Sequence, residues 1–285
     1  LEDVNTSFTS ACPRQYAAQL IYNAIDAYTV VLRDGEYTNM KLVTGIGGND
    51  YNPTIGEKYM GLKTQKGILT ASGKTGINNN KTSKEDSLGV DTDNDYDVDK
   101  TFTKVKGDYT ALLGQEVKVM YKDTDDVYGV FATDKNNTVV TTLGDIDLTD
   151  SNKKLKVDGE KYDLKGTYTS NTVGTDTVVS ENNAAFASVQ SKIKGNAAST
   201  VTLIDNNDDD KLDVIVVTKP VAVAKVTFVG SDSVTISGVA SYDFDDENIY
   251  EGIKKDDFAV VYSAATTKDG KVNVVKADIV SGKVT

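Results

Sequence analysis

The chain has no histidine, no tryptophan, a single cysteine and three prolines among its 285 residues. Without histidine it lacks the side chain whose ordinary pKa lies nearest neutrality, on which most nucleophilic triads and transition-metal sites depend. Cys12 has no second cysteine for an internal disulfide, and we interpret it as a small, half-buried apolar residue. These absences predict that the chain is not an enzyme and has no catalytic residues.

Positive charge is also scarce, since 43 acidic residues against 31 basic ones give a net charge of −12 and a pI near 4.6. An acidic surface repels phosphate backbones, so we expect no nucleic-acid partner. The same carboxylates suit divalent cations. No apolar run approaches the roughly 18 residues that a membrane-spanning helix needs, so no membrane span is expected.

One helix is predicted near the start, over residues 14–28. Its apolar residues recur at helical spacing and form one stripe: Ala17, Leu20, Ile21, Ala24, Ile25 and Tyr28. Pro13 suits the first helical position, where a missing N–H costs nothing.

The rest of the chain favours β-structure, because runs rich in Val, Ile, Thr and Tyr alternate with Gly, Asn and Asp clusters. In the run Glu116–Lys122, apolar residues alternate with Lys118 and Lys122, which predicts an antiparallel strand with one wet side. The spacing indicates a mainly β fold of tandem antiparallel sandwich or barrel domains. The predicted strands are Lys66–Ala71, Glu116–Lys122, Val127–Thr133, Thr138–Leu143, Thr200–Ile204, Leu212–Thr218, Lys225–Val229 and Ser233–Ser237.

Two segments are predicted after the helical region of residues 1–40. Residues 41–219 form a β-rich domain, interrupted by a polar surface insertion over 72–100 and a short helix over 181–194. Residues 220–285 form a second β-rich domain, which begins where Pro220 breaks the strand pattern. The alternation of strand residues continues to the end, so this domain is interpreted as possibly truncated.

The residues CPRQYAAQLIYNAIDA, from Cys12 to Ala27, resemble the closing helix of an S-layer homology (SLH) repeat. In that family a Thr-Arg pair opens a helix that continues as AAQLxxNAL. The phrases TIGEKYMGLKTQKGILTA, LGQEVKVMYKDTDDVYGVFATDKNNTVV and TLIDNNDDDKLDVIVVTKPVAVAKVTFV are similar to the β-rich region that follows SLH repeats in bacterial surface-layer proteins. Residues 1–40 are thereby interpreted as the C-terminal part of one repeat.

The resemblance implies a secreted, extracellular protein of the cell-wall surface layer, a structural subunit that self-assembles through contacts with its own copies. It also implies anchoring, by a complete SLH set, to a secondary cell-wall polysaccharide. Arg14 matches the arginine that lines the polymer pocket in the family. The alternative interpretation of Arg14 is a solvated charge at a helix start.

The first acidic cluster places Asp91, Asp93, Asp95, Asp97 and Asp99 at alternate positions. Hard cations need six to eight oxygen ligands, and this spacing lets one loop wrap an ion. Against the EF-hand calcium loop, Tyr96 stands where glycine makes the sharp turn, and Phe102 stands where a bidentate glutamate belongs. The alternative is a plain acidic loop.

The second cluster, Asp205, Asn207, Asp209 and Asp213, matches the first, third, fifth and ninth ligand positions of the same template. Asp210 takes the turn position, where Asp tolerates a left-handed backbone better than most residues. The alternative is a solvated hairpin turn, for which Asn and Asp are preferred. Calcium is therefore the one predicted cofactor.

A structural surface-layer subunit is the function that these observations favour. An adhesin stalk, a carbohydrate-binding module of a wall-associated protein, and an appendage or fibre subunit are the alternatives. Paired carboxylates are also typical of glycosidases, but the chain has no tryptophan to stack on sugar rings and its acids lie in polar turns.

Overall fold

A computed structural model describes residues 4, 9, 11–43, 50–166, 168–169, 172–173, 176–186, 189 and 199–278. The fold is mainly β with several sheets and a short helix near the start, as the sequence predicts. The chain forms two compact units. The first is Leu1–Thr64 with Met120–Asp123, and the second is Gln65–Val119 with Thr124–Thr285.

The first unit contains short elements, namely α1 Arg14–Asp26, β1 Val30–Arg33, β2 Glu36–Asn39, β3 Leu42–Val43, β4 Asp50–Tyr51 and α2 Ile55–Met60. Helix α1 confirms the helix predicted over 14–28, although it ends at Asp26 and Pro13 is its N-cap residue. No residue of α1 is buried, and Ile21 is 61% exposed, so the predicted apolar stripe is not part of a core. Cys12 is exposed rather than half-buried.

Helix α2 was missed by the sequence analysis, although its start carries a recognisable signal. The Thr54 hydroxyl accepts from the Glu57 N–H at 3.1 Å, and the Glu57 carboxylate accepts from the Thr54 N–H at 2.8 Å. This reciprocal pair is a capping box, readable as T-x-x-E. Gly61 ends the helix at φ +67°, a left-handed conformation that favours glycine.

A six-stranded sheet in the order β10-β9-β5-β7-β8, with β6 paired to β5, comes next, and most of its residues belong to the second unit. Its strands are β5 Lys63–Ser72, β6 Thr75–Gly76, β7 Leu88–Asp91, β8 Lys100–Phe102, β9 Glu116–Tyr121 and β10 Val127–Ala132. Strands β7 and β8 are antiparallel, with Leu88 opposite Phe102. Both of these side chains are fully buried.

The prediction of a polar surface insertion over 72–100 is therefore wrong. This stretch contains β6 and β7, and Ile77, Leu88 and Val90 have no exposed surface. Some polar residues are buried with them, and Thr82 is satisfied there because its Oγ1 donates to Gly73 O at 2.8 Å. Few apolar residues were enough, since Ile77, Leu88 and Val90 each pack at full burial.

Strand β9 also differs from its predicted pattern, which had one wet side. Lys118 is only 8% exposed, and five of the six residues of β9 are buried. The strand lies inside the sheet, between β10 and β5. The alternation of apolar and lysine residues therefore did not predict correctly that both faces of this strand are buried.

Two sheets surround one core in the middle of the second unit, in the orders β11-β19-β21-β17-β18 and β12-β13-β14-β20, beside a two-stranded pair β15-β16. Their strands are β11 Asn137–Thr142, β12 Ile146–Thr149, β13 Lys154–Val157, β14 Glu160–Leu164, β15 Tyr168–Thr169, β16 Thr172–Val173, β17 Val178–Glu181, β18 Ala184–Phe186, β19 Thr200–Asp205, β20 Lys211–Leu212 and β21 Val214–Thr218. The antiparallel partners Leu203 and Ile215 both enter the core, and Leu155 reaches it from the other sheet. This shared core gives the region a sandwich-like character.

The helix predicted over 181–194 does not start where expected. Residues 178–181 and 184–186 are the hairpin β17-β18, with Glu181 opposite Ala184, because Asn182 and Asn183 adopt positive φ and make the turn. Val189 is helical and buried in the core. The other residues of 187–194 lie outside the described part of the chain.

The last sheet has the order β24-β23-β22-β26-β27-β25. Its strands are β22 Pro220–Val229, β23 Ser233–Ile236, β24 Ala240–Asp243, β25 Asn248–Ile249, β26 Phe258–Tyr262 and β27 Asn273–Lys276. Pro220 is the first residue of β22, a position where its missing N–H is tolerated. Val226, Val234 and Val261 lie in the core of this sheet.

All eight strands predicted from the sequence are present, with ends that differ by a few residues. The predicted boundary at Pro220 coincides with a change of sheet, whereas the two compact units divide the chain at other positions. Independent folding of residues 41–219 and 220–285 stays a prediction.

Candidate functional site

The two acidic clusters lie in the second unit, and each begins at the last residue of a strand. The first loop, residues 91–99, starts at the end of β7 and leads into β8. The second loop, residues 205–213, starts at the end of β19 and contains β20 before β21 begins. Rigid strands thus hold both ends of each loop.

In the first loop, the carboxylate of Asp91 organises the backbone. Asp91 is 1% exposed, and its Oδ1 accepts from the N–H groups of Asp93 at 2.9 Å and Asn94 at 2.8 Å. Its Oδ2 accepts from the N–H of Tyr96 at 2.7 Å. The loop is closed by Asp99, whose Oδ2 accepts from the Thr92 N–H at 2.6 Å.

Asp205 does the same in the second loop. It is 5% exposed, and its Oδ1 accepts from the N–H groups of Asn207 at 3.2 Å, Asp208 at 2.8 Å and Asp209 at 3.4 Å. Its Oδ2 accepts from the Asp210 N–H at 3.0 Å. Asp213 closes the loop, since its Oδ2 accepts from the Asn206 N–H at 2.9 Å.

The two loops therefore have one conformation, position by position. The fourth and sixth residues adopt left-handed φ in both, at +68° and +66° for Asn94 and Tyr96 and at +61° for both Asp208 and Asp210. The left-handed backbone expected at Asp210 is confirmed. Tyr96 adopts it without being glycine, and a bulky residue with positive φ is a true outlier.

Three carboxylates converge in each loop. One oxygen each from Asp91, Asp93 and Asp99 lie within 4.8 Å of one another, and the same holds for Asp205, Asp209 and Asp213. Both groups are close enough together that they could hold a metal ion. These are the first, third and ninth positions in the first loop, and the first, fifth and ninth in the second.

The other predicted ligands lie outside these groups. Asp95 Oδ1 accepts from the Asp97 N–H at 2.8 Å, and Asp97 is exposed. The Asn207 side chain donates a hydrogen bond from Nδ2 to Asp213 Oδ1 at 3.3 Å. Its amide group must therefore rotate before the amide oxygen can take the place of Nδ2 and bind an ion. Arg14 is exposed at the first position of α1, and its predicted wall-polymer role stays a prediction.

Crowding of like charges dominates the electrostatics of the first loop. The neighbouring carboxylates of Asp95 and Asp99 raise the pKa of Asp93, and burial and Asp91 add to the effect. Hydrogen bonds from Thr92 lower the pKa of Asp99, so that its charged form is favoured. The negative charge is thus concentrated at a place where a bound cation would reduce the repulsion between the carboxylates.

The second loop already contains a protein cation that the sequence analysis missed. The Lys165 ammonium lies 2.6 Å from Asp213 Oδ1, and the Asp213 side chain is fully buried. This hydrogen bond raises the pKa of Lys165, and the charges of Asp213, Asp209 and Asp205 raise it further against the effect of burial. Lys165 follows β14, whose parallel pairing of Leu164 with Leu212 brings it beside Asp213.

Tyr96 connects the two loops. The Asn206 side chain lies close to its hydroxyl, and burial together with the nearby Asp213 charge raises the pKa of Tyr96 to about 12. Asn206 is itself held by its Nδ2, which donates to Gly114 O at 3.0 Å. A cavity of about 450 Å³ lies between the loops, and Tyr96, Asn206, Lys165 and Asp213 are among its lining residues.

No known family, curated protein or solved structure matches this chain. Among its described residues, none belongs to a helix both long enough and apolar enough to cross a bilayer.

Proposed function

We propose that this chain is a calcium-binding structural protein, in which the first and second loops each bind one Ca²⁺. The observation that carries the proposal is the same loop conformation at two places in the fold, each with three convergent carboxylates. The two loops share most of their amide hydrogen bonds and both left-handed positions, so each offers an ion the same backbone arrangement.

The ligand chemistry supports calcium in particular. Ca²⁺ takes six to eight oxygen ligands with flexible geometry, whereas Mg²⁺ demands a near-ideal octahedron. Each loop offers carboxylates at its first and ninth positions and at its third or fifth. The backbone carbonyl at the seventh position is a further ligand in this type of loop, and water completes the shell.

The absence of a closing glutamate indicates modest affinity. Phe102 and Val216 stand at that position, and Phe102 is fully buried in the core. Each site therefore lacks the bidentate ligand of tight EF-hand loops. We expect dissociation constants of about 10⁻⁴–10⁻³ M, the range of extracellular calcium modules.

The place of the loops in the fold supports a structural role for the ion. The strands that enter and leave the loops carry fully buried side chains, including Val90 and Phe102 for the first loop and Leu203 and Val214 for the second. An ion that holds a loop closed therefore also holds two core strands together. Ca²⁺ that binds only the folded state raises the free energy of unfolding.

A surface-layer subunit is the biological role we propose for such a module. The likeness of Cys12–Ala27 to an SLH helix, the acidic composition and the predominance of β-sheets support it. Contacts between copies that do not close into a ring generate sheets or filaments. The same likeness supports an extracellular location and anchoring to a wall polysaccharide through a complete SLH set.

Isothermal titration calorimetry of the whole chain tests the calcium proposal. We expect two Ca²⁺ per chain and much weaker heats with Mg²⁺. A titration with no calcium heat up to 10-fold above the affinity range of about 10⁻⁴–10⁻³ M would overturn it.

Electron microscopy of the purified chain with calcium tests the surface-layer role. Two-dimensional order is the expected result. Isolated rods would instead identify an adhesin stalk or a fibre subunit, and would overturn the proposed role in a coat.

A further inference from the structure

The second loop differs from the first because a lysine ammonium already lies among its carboxylates. Lys165 Nζ is 2.6 Å from Asp213 Oδ1, a close charge-assisted hydrogen bond. Asp213 is fully buried, so its charge has little access to water and depends on a partner within the protein. Lys165, the residue after β14, supplies that partner from about 40 residues before the loop in the chain.

The backbone of Lys165 is fixed, whereas its ammonium has room to move. The Lys165 N–H donates to Thr177 Oγ1 at 2.9 Å, and the Lys165 carbonyl accepts from the Asp176 N–H at 2.8 Å. The side chain is 38% exposed and lines the cavity of about 450 Å³ between the loops. The ammonium can therefore leave Asp213 for this cavity without any change in the strands.

In the first loop, the carboxylate at the ninth position has different hydrogen-bond donors. Asp99, the counterpart of Asp213, accepts from the Thr92 N–H and hydroxyl at 2.6 Å and 2.9 Å. Lys100, the residue after Asp99, donates to Gln65 Oε1 at 3.0 Å. Neutral donors thus hold Asp99 in place, whereas Asp213 accepts both from the neutral Asn206 N–H and from the Lys165 ammonium.

We propose that Lys165 is an intramolecular competitor for the cation of the second loop. In the empty loop its ammonium neutralises Asp213, and when Ca²⁺ binds, the ammonium moves into the cavity. This inference rests on the proposed calcium function. It assigns the first loop as the tighter site and the second as the weaker site, whose fold survives removal of the ion.

The test is calcium titration calorimetry on the full chain carrying Asp93→Asn, so that the second loop is the remaining site. Adding Lys165→Met keeps most of the aliphatic stem and removes the charge. Calcium affinity should rise roughly tenfold or more, the order expected when a like charge a few ångströms from the ion is removed. Lys165→Arg keeps the charge and should leave the affinity near that of the parent.

Lys135→Met is the matched control. Lys135 lines the same cavity but pairs with Glu116 at 3.5 Å, so its loss removes an equal charge away from Asp213. An equal affinity gain in both methionine variants would overturn the proposal. The gain would then come from the lower positive charge near the cavity and not from the position of Lys165 beside Asp213. If Lys165→Met folds only in calcium, that result supports it, since the ion then replaces the missing ammonium.

The two possible failures are distinguishable. If the wild-type chain and every variant bind no calcium, the proposed function fails. If the wild-type chain binds calcium but Lys165→Met leaves the affinity of the second loop unchanged, the competitor proposal alone fails.

Discussion

The two acidic loops have the same backbone conformation and different surroundings. The carboxylates of Asp91 and Asp205 each accept hydrogen bonds from backbone N–H groups of their own loop. Asn94 and Asp208 both adopt a left-handed φ. Beyond the backbone they diverge, since like charges crowd Asp93 whereas Lys165 neutralises Asp213. The comparison shows that a short sequence pattern can specify a loop, while distant residues decide how its charge is balanced.

The structure also changes what is expected of the first loop. With a surface insertion over 72–100, an ion there would order only its own loop. Because the loop joins β7 to β8, and Val90 and Phe102 are fully buried, its ion should instead contribute to global stability. The second loop is expected to contribute as well, but with Lys165 as a partial substitute for the ion.

The largest effects should come from the aspartates that organise the loops. Asp205→Ala removes the acceptor of four amide hydrogen bonds, and Asp91→Ala removes the acceptor of three. Each change should lower the free energy of unfolding by about 3 kcal/mol or more in chelator, since several donors lose a charged partner at once. Urea denaturation measures this.

The control for these variants is Asp147→Ala, on the exposed face of β12, which should change stability by less than about 0.5 kcal/mol. The loss for Asp205 should exceed that for Asp91. Losses below about 1 kcal/mol at both positions would show that the amide bonds do not hold the loops.

Removal of calcium should have the next largest effect. An ion bound only to the folded state stabilises it by about 2.7 kcal/mol per site at a hundredfold excess over the dissociation constant. For a chain of this size, each kcal/mol corresponds to a shift of about 2–4 °C in the melting temperature. Scanning calorimetry with calcium and with chelator should therefore give clearly separated transitions, and coincident transitions would mean that both clusters are plain acidic turns.

Single ligand changes separate the two loops. Asp93→Asn and Asp209→Asn should each remove roughly half of the calcium-dependent shift in melting temperature, because each removes one of three convergent carboxylates. Asp97→Asn and Asp210→Asn remove the same charge at positions outside the convergent groups and should leave the shift nearly intact. Asp95→Asn belongs with these controls. If the controls and the ligand variants behave alike, net charge and not coordination explains the shift.

The smallest effect is expected at the connection between the loops. Tyr96→Phe keeps the ring and removes the half-buried hydroxyl that lies beside Asn206, so stability should fall by about 1 kcal/mol. Tyr128→Phe is the control, because the Tyr128 ring is exposed and its hydroxyl lies 3.4 Å from Asp126 Oδ2. Equal denaturation midpoints for Tyr96→Phe and the wild-type chain would argue against a contribution of this contact.

Much of the fold was readable from local patterns. The eight predicted strands and the helix at Arg14–Asp26 are present because their signals, β-branched runs between Gly, Asn and Asp turns and one apolar stripe, act over a few residues. Helix α2 was missed although its capping box is equally local. The segment 181–186 was misread as a helix, because Asn182 and Asn183 were not recognised as a hairpin turn.

The sequence by itself determined the loop pattern, since the spacing of Asp205, Asp209 and Asp213 matches the convergent carboxylates and Asp210 tolerates a left-handed backbone. Only the tertiary structure decided that Lys118 is buried, that 72–100 contains core strands, and that Lys165 lies against Asp213. The physical reason is distance along the chain. Hydrogen bonds within nine residues follow from local spacing, whereas burial and the pairing of charges 48 residues apart depend on which strands become neighbours.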